Sequence, residues 1–339
     1  MPRLTRSTHG VDPGSRTLAH SSLSQRPGQR HGRSAPHRYD VIIIGGSYAG
    51  MSAALQLVRA RRKVLIIDGG TPRNRNARVA HGFLGREGLP PADIASQARE
   101  ELLRYPTLTW LAGIARSATA TASASASEEG GTFRVEVDAG QAFLADRVIL
   151  AYGVTDDLPD IQGIGERWGR SVFHCPYCHG YEVFEGRIGV IGCAKDGGAA
   201  QALLLCDWGN ITLFCSEASA GIDPAQRARL DACGVVIEST RVRAVEDSAT
   251  VVLADGRRVE VDALFISPHS RLSSGLAEQL GCELKDGGCI TTDSAKQTTV
   301  PGVFACGDAA RMAGSIALAV GEGALAGVAV HHSLMGLLE

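Results

Sequence analysis

Two stretches of the chain share the same succession of apolar and small residues. The first is the apolar run "YDVIIIGGSYAG" from Tyr39; "MSAALQLVRARR" follows with helical spacing, and "KVLIID" is a second apolar run. Strand, glycine-rich turn, helix and strand predict a βαβ unit, and its fully apolar strands are typical of a parallel sheet buried on both faces. The pattern returns in "GRIGVIGCAKDGGAAQALLLCDWGNITLFC", residues 186–215. The chain is therefore predicted to be an α/β protein with two doubly wound domains.

The segments around these units predict how the domains are connected. The low-complexity tract "ATATASASASEEGG", residues 118–131, precedes the strand-like runs "FRVEV" and "RVILAYG". This order predicts a β-hairpin arm with a long tip. We expect a discontinuous first domain, residues 39–156 and 269–335, and a second domain, residues 157–268, inserted into it.

Both ends of the chain depart from this pattern. Residues 1–38 contain seven arginines and one acidic residue, Asp12, and are rich in Ser, Pro and Gly. Such a composition cannot form a core, and it predicts a disordered tail. Residues 314–332 are the most apolar later segment, but Glu322 and several glycines interrupt them. We therefore expect a buried helix and no membrane span.

Charge and cysteine usage narrow the classes of function. The 339 residues carry 34 Lys and Arg against 36 Asp and Glu, so a net charge of −2 gives no reason to expect nucleic acid or an anionic membrane as a partner. Nine cysteines are too sparse for a disulfide scaffold. We interpret seven of them as small buried hydrophobes in a reducing compartment, and expect a cytoplasmic location. These seven are Cys193, Cys206, Cys215, Cys233, Cys282, Cys289 and Cys306.

The first glycine-rich turn carries a dinucleotide-binding pattern. Gly45, Gly46 and Gly50 follow the first strand, and Asp68 closes the second strand. A turn without side chains lets the backbone approach a pyrophosphate, and the acidic residue accepts hydrogen bonds from ribose hydroxyls. Ser47 replaces the middle glycine of the usual pattern. The same residues also suit a tight strand-to-helix turn that binds nothing, and the motif alone does not distinguish FAD from NAD.

The segment "FHCPYCHGYE", residues 173–182, permits three interpretations. C-x-x-C-H is the attachment signature of c-type haem, a Cys pair with neighbouring histidines resembles half a zinc site, and C-x-x-C also forms redox disulfides. A single pair has no second pair to complete a zinc tetrahedron. We expect no metal site, and leave a purely structural pair open beside the redox interpretation.

Two further motifs make the chain resemble a known family. "VILAYG", ending at Gly153, resembles the A-T-G turn of two-dinucleotide flavoproteins, and "VFACGDAA" resembles their late G-D motif. With the Cys pair between two βαβ units, the chain resembles the low-molecular-weight thioredoxin reductases from residue 39 to about residue 332. The resemblance implies two Rossmann-like domains, a homodimer, and FAD as cofactor. The residues it assigns to FAD are Gly45, Gly46, Ser47, Gly50, Asp68, Gly153, Gly307 and Asp308.

The same resemblance implies roles around the Cys pair. Cys178 faces the flavin and Cys175 exchanges with the substrate disulfide. His179 stands where the family has an acidic acid/base residue, and we expect it to titrate near neutrality. His174 and Glu182 are secondary candidates. His81 and the "PRNR" stretch, residues 72–75, are expected near the flavin.

The second βαβ unit departs from the NADPH-using pattern. Ala194 replaces the middle glycine, and residues 211–226 contain Glu217 but no Arg or Lys where relatives bind the 2′-phosphate. This loss resembles the dithiol-oxidase branch, the gliotoxin- and holomycin-type enzymes. We predict an FAD-dependent thiol-disulfide oxidoreductase that does not depend on NADPH and uses oxygen as acceptor. Its substrate is a small dithiol or a thioredoxin-like protein. An NAD(P)H-dependent thioredoxin reductase and a non-catalytic redox sensor remain alternatives.

Overall fold

The first sheet is built around the first βαβ unit. The computed structural model describes residues 37–121, 132–183, 185–216, 221–312 and 314–338. The sheet contains β1 (His37–Ile44), β2 (Val64–Asp68), β3 (Leu108–Ala112), β4 (Ala115–Thr121), β5 (Thr132–Val137), β6 (Ala142–Leu150) and β17 (Val303–Ala305). The strand order is β3-β2-β1-β6-β5-β4, and β17 pairs with β6. All pairs are parallel except β4 with β5 and β5 with β6, which form the antiparallel arm.

The second sheet repeats the parallel arrangement. It contains β8 (Val172–Phe173), β9 (Gly186–Ile191), β10 (Gly209–Phe214), β11 (Val236–Glu238) and β15 (Ala263–Ile266). The order is β11-β10-β9-β15-β8, with every pair parallel. An antiparallel sheet of β12 (Val242–Glu246), β13 (Thr250–Leu253) and β14 (Arg258–Glu260) is a separate sheet. The antiparallel pair β7 (Val154–Asp157) and β16 (His269–Leu272) lies where the chain passes between the two parallel sheets.

The helices begin with recognisable local signals. They are α1 (Tyr48–Arg59), α2 (Pro91–Leu103), α3 (Ile164–Arg167), α4 (Pro176–His179), α5 (Gly198–Leu205), α6 (Pro224–Ala232), α7 (Leu276–Gln279) and α8 (Ile316–Leu334). The Asp223 carboxylate accepts a hydrogen bond from the Gln226 N–H at the start of α6, 2.7 Å away. Ser315 accepts from the Leu318 N–H at the start of α8, at 3.2 Å. Both are N-capping bonds that satisfy donors lacking an intrahelical partner.

Both faces of the first sheet are buried. Ile42 and Ile44 of β1 pack into one apolar cluster, whereas Val41 and Ile43 pack into another. Alternate residues of a strand point to opposite faces, so a strand covered on both faces must be apolar throughout. This is why β1 appears in the sequence as a continuous apolar run.

Helix α8 packs closely against α1. A Cβ added at Gly323 would overlap the Ala49 carbonyl oxygen, so the two backbones touch there. Glu322 is 8% exposed and accepts a hydrogen bond from Lys296 Nζ at 2.7 Å. By length and composition alone α8 is long and apolar enough to cross a membrane. One side of α8 packs on α1 and holds the buried Glu322, whereas Leu318, Leu325 and Val328 are exposed, so the expected buried helix is buried on one side only.

The predicted fold class is confirmed: parallel Rossmann-like sheets, with an antiparallel hairpin arm formed by β4 and β5. The strand β4 includes the first residues of the low-complexity tract, whereas the predicted hairpin tip, 122–131, lies outside the described residues. The predicted disordered tail also lies outside them, except for His37 and Arg38. These two residues belong to β1, which corrects the expected start of ordered structure at Tyr39. The domain limits stay a prediction.

Candidate active site

The first glycine-rich turn forms a cradle that side chains would fill. Gly45 has a φ of +107°, and a Cβ added at Gly50 would overlap the Gly45 carbonyl oxygen. The Gly46 N–H donates to Asp68 Oδ1 at 3.1 Å. Ser47 is the N-cap of α1 and makes no capping hydrogen bond with that helix. The turn therefore presents backbone and the start of α1 to a ligand, which is the geometry that suits a pyrophosphate.

The other predicted cofactor residues lie at the same edge of the first sheet. Gly153 follows β6 with a φ of +68°, and Gly307 follows β17 with a φ of +69°. A Cβ added at Gly45 would overlap the Ala151 carbonyl oxygen, which places the turns after β1 and β6 in contact. A Cβ added at Gly314 would overlap the Asp308 carboxylate. The chain thus brings together all eight residues assigned to FAD, and their glycine cradle fits a dinucleotide.

Arg73, from the "PRNR" stretch, connects this cradle to the strand β7. Its guanidinium donates to Asp308 Oδ2 at 2.8 Å and to both carboxylate oxygens of Asp156, at 2.6 and 2.8 Å. Ser270 of β16 also donates to Asp156, at 2.7 Å. Although burial opposes ionisation, hydrogen bonds from Arg73 and Ser270 lower the pKa of Asp156. The hydrogen bond from Arg73 thus engages Oδ2 of Asp308, and Gly314 packs against Oδ1.

The C-x-x-C segment forms a disulfide. Cys175 and Cys178 are bonded, with their Cα atoms 5.3 Å apart. The bond spans the short helix α4, with Cys175 at its N-cap and the buried Pro176 in its first turn. Of the interpretations left open by the sequence, the structure shows the disulfide.

His179 lies in an apolar and basic environment beside this disulfide. Its ring stacks on Phe173 with centroids 4.2 Å apart, and the edge of His81 approaches at 6.2 Å. Burial, and secondly the charge of His81, lower the pKa of His179 to about 4. The expectation that His179 titrates near neutrality is therefore wrong in this environment. At pH 7 the imidazole is neutral, and it is a base rather than an acid.

The secondary candidates contact other groups. His174 Nδ1 lies 3.4 Å from the Ile266 carbonyl oxygen, and the Gln201 amide donates to the His174 carbonyl oxygen at 2.7 Å. Burial, and secondly the charge of Arg73, lower the pKa of His174. Glu182 lies 3.4 Å from His81 Nδ1. Both residues therefore hold the loop around the disulfide through these contacts.

The second glycine-rich turn can be matched to the first through its hydrogen bonds. The Gly45 N–H donates to the Ile67 carbonyl oxygen at 2.9 Å, and the Gly192 N–H donates to the Phe214 carbonyl oxygen at 3.1 Å. These strands pair in corresponding registers, Ile44 with Ile67 and Ile191 with Phe214. Counting one residue onward in each strand, Cys193 corresponds to Gly46, and Cys215 corresponds to Asp68.

A second disulfide joins these two corresponding positions. Cys193 and Cys215 are bonded, with Cα atoms 5.0 Å apart. This corrects the interpretation of both as unpaired buried hydrophobes, which failed because the register of β9 and β10 brings together residues 22 apart in sequence. Comparing the two βαβ units residue by residue in the sequence gives a signal for the pair. The other five cysteines are outside disulfides in the described ranges, and Cys233 is exposed.

Other groups of the protein contact the rest of the second turn. Asp196 Oδ2 accepts a hydrogen bond from the Cys193 N–H at 3.5 Å. A Cβ added at Gly221 would lie 3.5 Å from Ala194 Cβ, so Gly221 lies against the turn. As in the first turn, the backbones cross closely, because a Cβ at Gly198 would overlap the Gly192 carbonyl oxygen. Glu217 lies outside the described residues.

The fold and the disulfide define a class of enzymes that pass electrons between a dinucleotide cofactor and a thiol pair. Residues 39–323 match the pyridine nucleotide-disulphide oxidoreductase family, and the chain belongs to that family. It is a thioredoxin-reductase-like FAD disulfide oxidoreductase, which confirms the family expected from the sequence motifs.

Similar proteins cover nearly the whole described chain. The thioredoxin reductase sirT of Leptosphaeria maculans is 31% identical over 319 residues, which are 89% of this chain and 96% of that protein. The crystal structure of the oxidoreductase from Agrobacterium tumefaciens is 50% identical with a TM-score of 0.82, and covers 88% of this chain and 99% of its own. The crystal structure of HlmI is 34% identical with a TM-score of 0.83, and covers 90% and 96%.

Proposed function

We propose that the enzyme oxidises a substrate thiol pair to a disulfide through Cys175 and Cys178, with FAD as cofactor and oxygen as final acceptor, and without ordinary use of NADPH. The alternative of a non-catalytic sensor is less favoured, because the chain belongs to a family of enzymes.

The second turn is the observation that carries this proposal. In the first turn, Asp68 supplies an acceptor for ribose hydroxyls, and a Cβ added at Gly46 would meet Trp110 and Asp68 itself. In the second turn both corresponding positions are cysteines joined to each other. A sulfur in a disulfide thus replaces the carboxylate acceptor, and residues 211–226 contain no Arg or Lys to bind the 2′-phosphate of NADPH. Asp196 also places a carboxylate on the turn, where it would repel a phosphate.

The exchange chemistry at Cys175 and Cys178 balances without any other reactant. A substrate thiolate attacks the sulfur of Cys175, the Cys175–Cys178 bond breaks, and Cys178 leaves as a thiolate. The second substrate thiolate then attacks the mixed disulfide, and Cys175 leaves. The substrate is oxidised by two electrons, and the protein disulfide becomes two thiols.

We assign the proton transfer in this exchange to His179. Its imidazole is neutral at pH 7, because burial and His81 lower its pKa to about 4. A neutral imidazole can accept a hydrogen bond from a substrate thiol and take up its proton as the sulfur attacks, although with so low a pKa it does not produce a free thiolate. His81 keeps contact with Glu87 Oε1 at 2.6 Å, which fixes its position at the edge of His179.

FAD, when bound, supplies the two-electron acceptance that returns the cysteines to the disulfide and passes the electrons to oxygen. The residues that would hold it are the glycine cradle after β1, Asp68 for ribose hydroxyls and Asp308 for the ribityl chain. Arg73 fixes the orientation of the Asp308 carboxylate through its 2.8 Å hydrogen bond.

Oxygen uptake tests the proposal. With dithiothreitol and no nucleotide, the FAD-loaded enzyme should consume oxygen steadily, and Cys175→Ser should abolish this uptake. The matched control Cys233→Ser changes an exposed cysteine outside both disulfides and should leave the uptake unchanged. Uptake that requires NADPH would contradict the proposal.

One observation favours the second candidate, an NAD(P)H-dependent thioredoxin-disulfide reductase. The close crossing of Gly192 and Gly198 is retained in the second turn, as a nucleotide-binding turn requires. The similar sirT protein is named a thioredoxin reductase. This candidate predicts oxidation of NADH or NADPH by a disulfide substrate in the absence of any dithiol.

We also propose a homodimer, as the resemblance implies, with a small dithiol or a thioredoxin-like protein as substrate. Leu318, Leu325 and Val328 lie on one exposed side of α8 and supply an apolar surface for a second copy. Light scattering should give twice the mass of the chain for the purified protein. The mass of a single chain would contradict the dimer.

A further inference from the structure

The Cys193–Cys215 disulfide lies apart from the Cys175–Cys178 pair in the second sheet. Cys193 directly follows the turn glycine after β9, and Cys215 directly follows β10. The redox pair follows β8, at the other side of the sheet, and β15 lies between β8 and β9. The two disulfides therefore belong to different loops.

The two cysteine residues of this second disulfide differ in exposure. Cys215 is 1% exposed and belongs to the apolar core beneath the second sheet. Cys193 is half-buried, and its neighbours Lys195 and Asp196 in the turn are exposed. A thiol in solution can reach a disulfide only at a sulfur that it can approach in line. Attack at Cys193, with Cys215 leaving, is the accessible direction.

The bond also cross-links the turn after β9 to the end of β10. The turn that carries Cys193 leads into α5, and Cys215 directly follows β10. Breaking the bond removes this cross-link, while backbone hydrogen bonds such as that from the Gly198 N–H to the Cys193 carbonyl oxygen, at 2.8 Å, still restrain the turn. The turn should then open more often.

We propose that Cys193 and Cys215 form a second thiol–disulfide exchange site, which reacts at Cys193 with a small monothiol and releases the second turn when it is reduced. The inference goes beyond the proposed function and does not rest on it, because it concerns exchange at Cys193–Cys215 and not at Cys175–Cys178.

The exchange balances in two steps. A small thiolate attacks the Cys193 sulfur, the Cys193–Cys215 bond breaks, and Cys215 leaves and takes up a proton. A second thiolate attacks the mixed disulfide, and Cys193 leaves. Two small thiols become one small disulfide, and the protein disulfide becomes two thiols. The reverse reaction, from the small disulfide, restores the bond.

The test uses FAD-loaded protein with Cys175→Ser and Cys178→Ser, so that only the second disulfide remains. To this background one adds either Cys215→Ser or Cys193→Ser, and incubates each protein with oxidised glutathione. Peptide masses should show glutathione on Cys193 in the first protein, at least ten times faster than on Cys215 in the second. Equal rates, or no adduct on Cys193, would overturn the assignment of the attacked sulfur.

A second measurement uses a protein that retains both Cys193 and Cys215. In the Cys175→Ser/Cys178→Ser protein, reduced glutathione should convert Cys193 and Cys215 to thiols while the flavin stays bound, as measured by alkylation after acid quenching. Hydrogen exchange of residues 192–198 should then become faster. A disulfide that resists glutathione until the protein unfolds would show a structural bond and overturn the exchange site. Unchanged hydrogen exchange after reduction would overturn the release of the turn.

Discussion

Each residue around the Cys175–Cys178 disulfide is assigned its own role in the proposed chemistry. In the proposed mechanism the two cysteines carry the electrons and His179 carries the proton. Phe173 and His81 surround His179, whose pKa burial and the charge of His81 lower. Each role predicts a different response to substitution.

The His179→Ala variant should lose a base. General bases typically contribute roughly 10²–10⁴-fold, so we expect a decrease of that size in kcat/KM with a dithiol. The neutral form of His179 is the active one. Wild-type activity should therefore decrease further as the pH falls through about 4, which gives the pH profile an additional acidic limb. His179→Ala should lack that limb, whereas the control His332→Ala, at the exposed end of α8, should retain it. A limb near pH 6.5 that His179→Ala removes would show that His179 titrates near neutrality.

The two cysteines of the redox pair should respond unequally. Cys178→Ser should abolish any thiolate-to-flavin charge-transfer absorption, because Cys178 is assigned to the flavin side. Cys175→Ser should retain that absorption and block exchange with the substrate. The measurement is the visible spectrum of each variant as purified. If the two spectra are interchanged, the roles of the cysteines are interchanged.

At the scale of elements, the strand-to-helix turn from β1 to α1 should determine FAD retention. Gly50→Ala places a methyl group against the Gly45 carbonyl oxygen and pushes the start of α1 away from the turn. The control Gly321→Ala also replaces a helical glycine, but its Cβ would have no neighbour within 4 Å. Gly50→Ala should purify with little FAD and native-like circular dichroism, and Gly321→Ala with one FAD per chain. Normal FAD content in Gly50→Ala would refute the assignment of this turn.

The strand β7 should depend on Arg73 for stability. Arg73→Met leaves Asp156, whose side chain is 6% exposed, without its cation. Loss of one partner of a buried pair costs about 3–5 kcal/mol in the free energy of unfolding. The control Arg227→Met breaks an exposed pair with Asp231 and should cost about 1 kcal/mol or less. Urea unfolding followed by circular dichroism measures both, and equal losses would contradict the buried pair.

At the scale of the whole molecule, the sequence predicted the features for which the backbone geometry restricts the type of residue. Gly45 and Gly50 are recognisable because the crossing of strand and helix excludes any side chain. Continuous apolar runs such as β1 are recognisable because both faces of the parallel sheet are covered. The position of Cys175 and Cys178 in one short segment made their disulfide a candidate from spacing alone.

Features set by long-range packing could not be predicted in this way. Cys193 and Cys215 meet only because β9 and β10 pair in a particular register. The pKa of His179 depends on Phe173 and on His81, which comes from a distant part of the chain. Arg73 was expected near the flavin, but its contact with Asp156 requires the pairing of β7 with β16.

The central claim is that electrons enter from a dithiol and not from NADPH. An anaerobic titration of the FAD-loaded enzyme, followed by flavin absorbance, tests it directly. Each lost Arg–phosphate contact removes on the order of 1.5–3 kcal/mol, so NADPH affinity should be reduced from micromolar toward millimolar. We predict that dithiothreitol bleaches the flavin within a turnover time, that air restores the colour, and that micromolar NADPH bleaches it slowly or not at all. Rapid bleaching by micromolar NADPH would contradict the account.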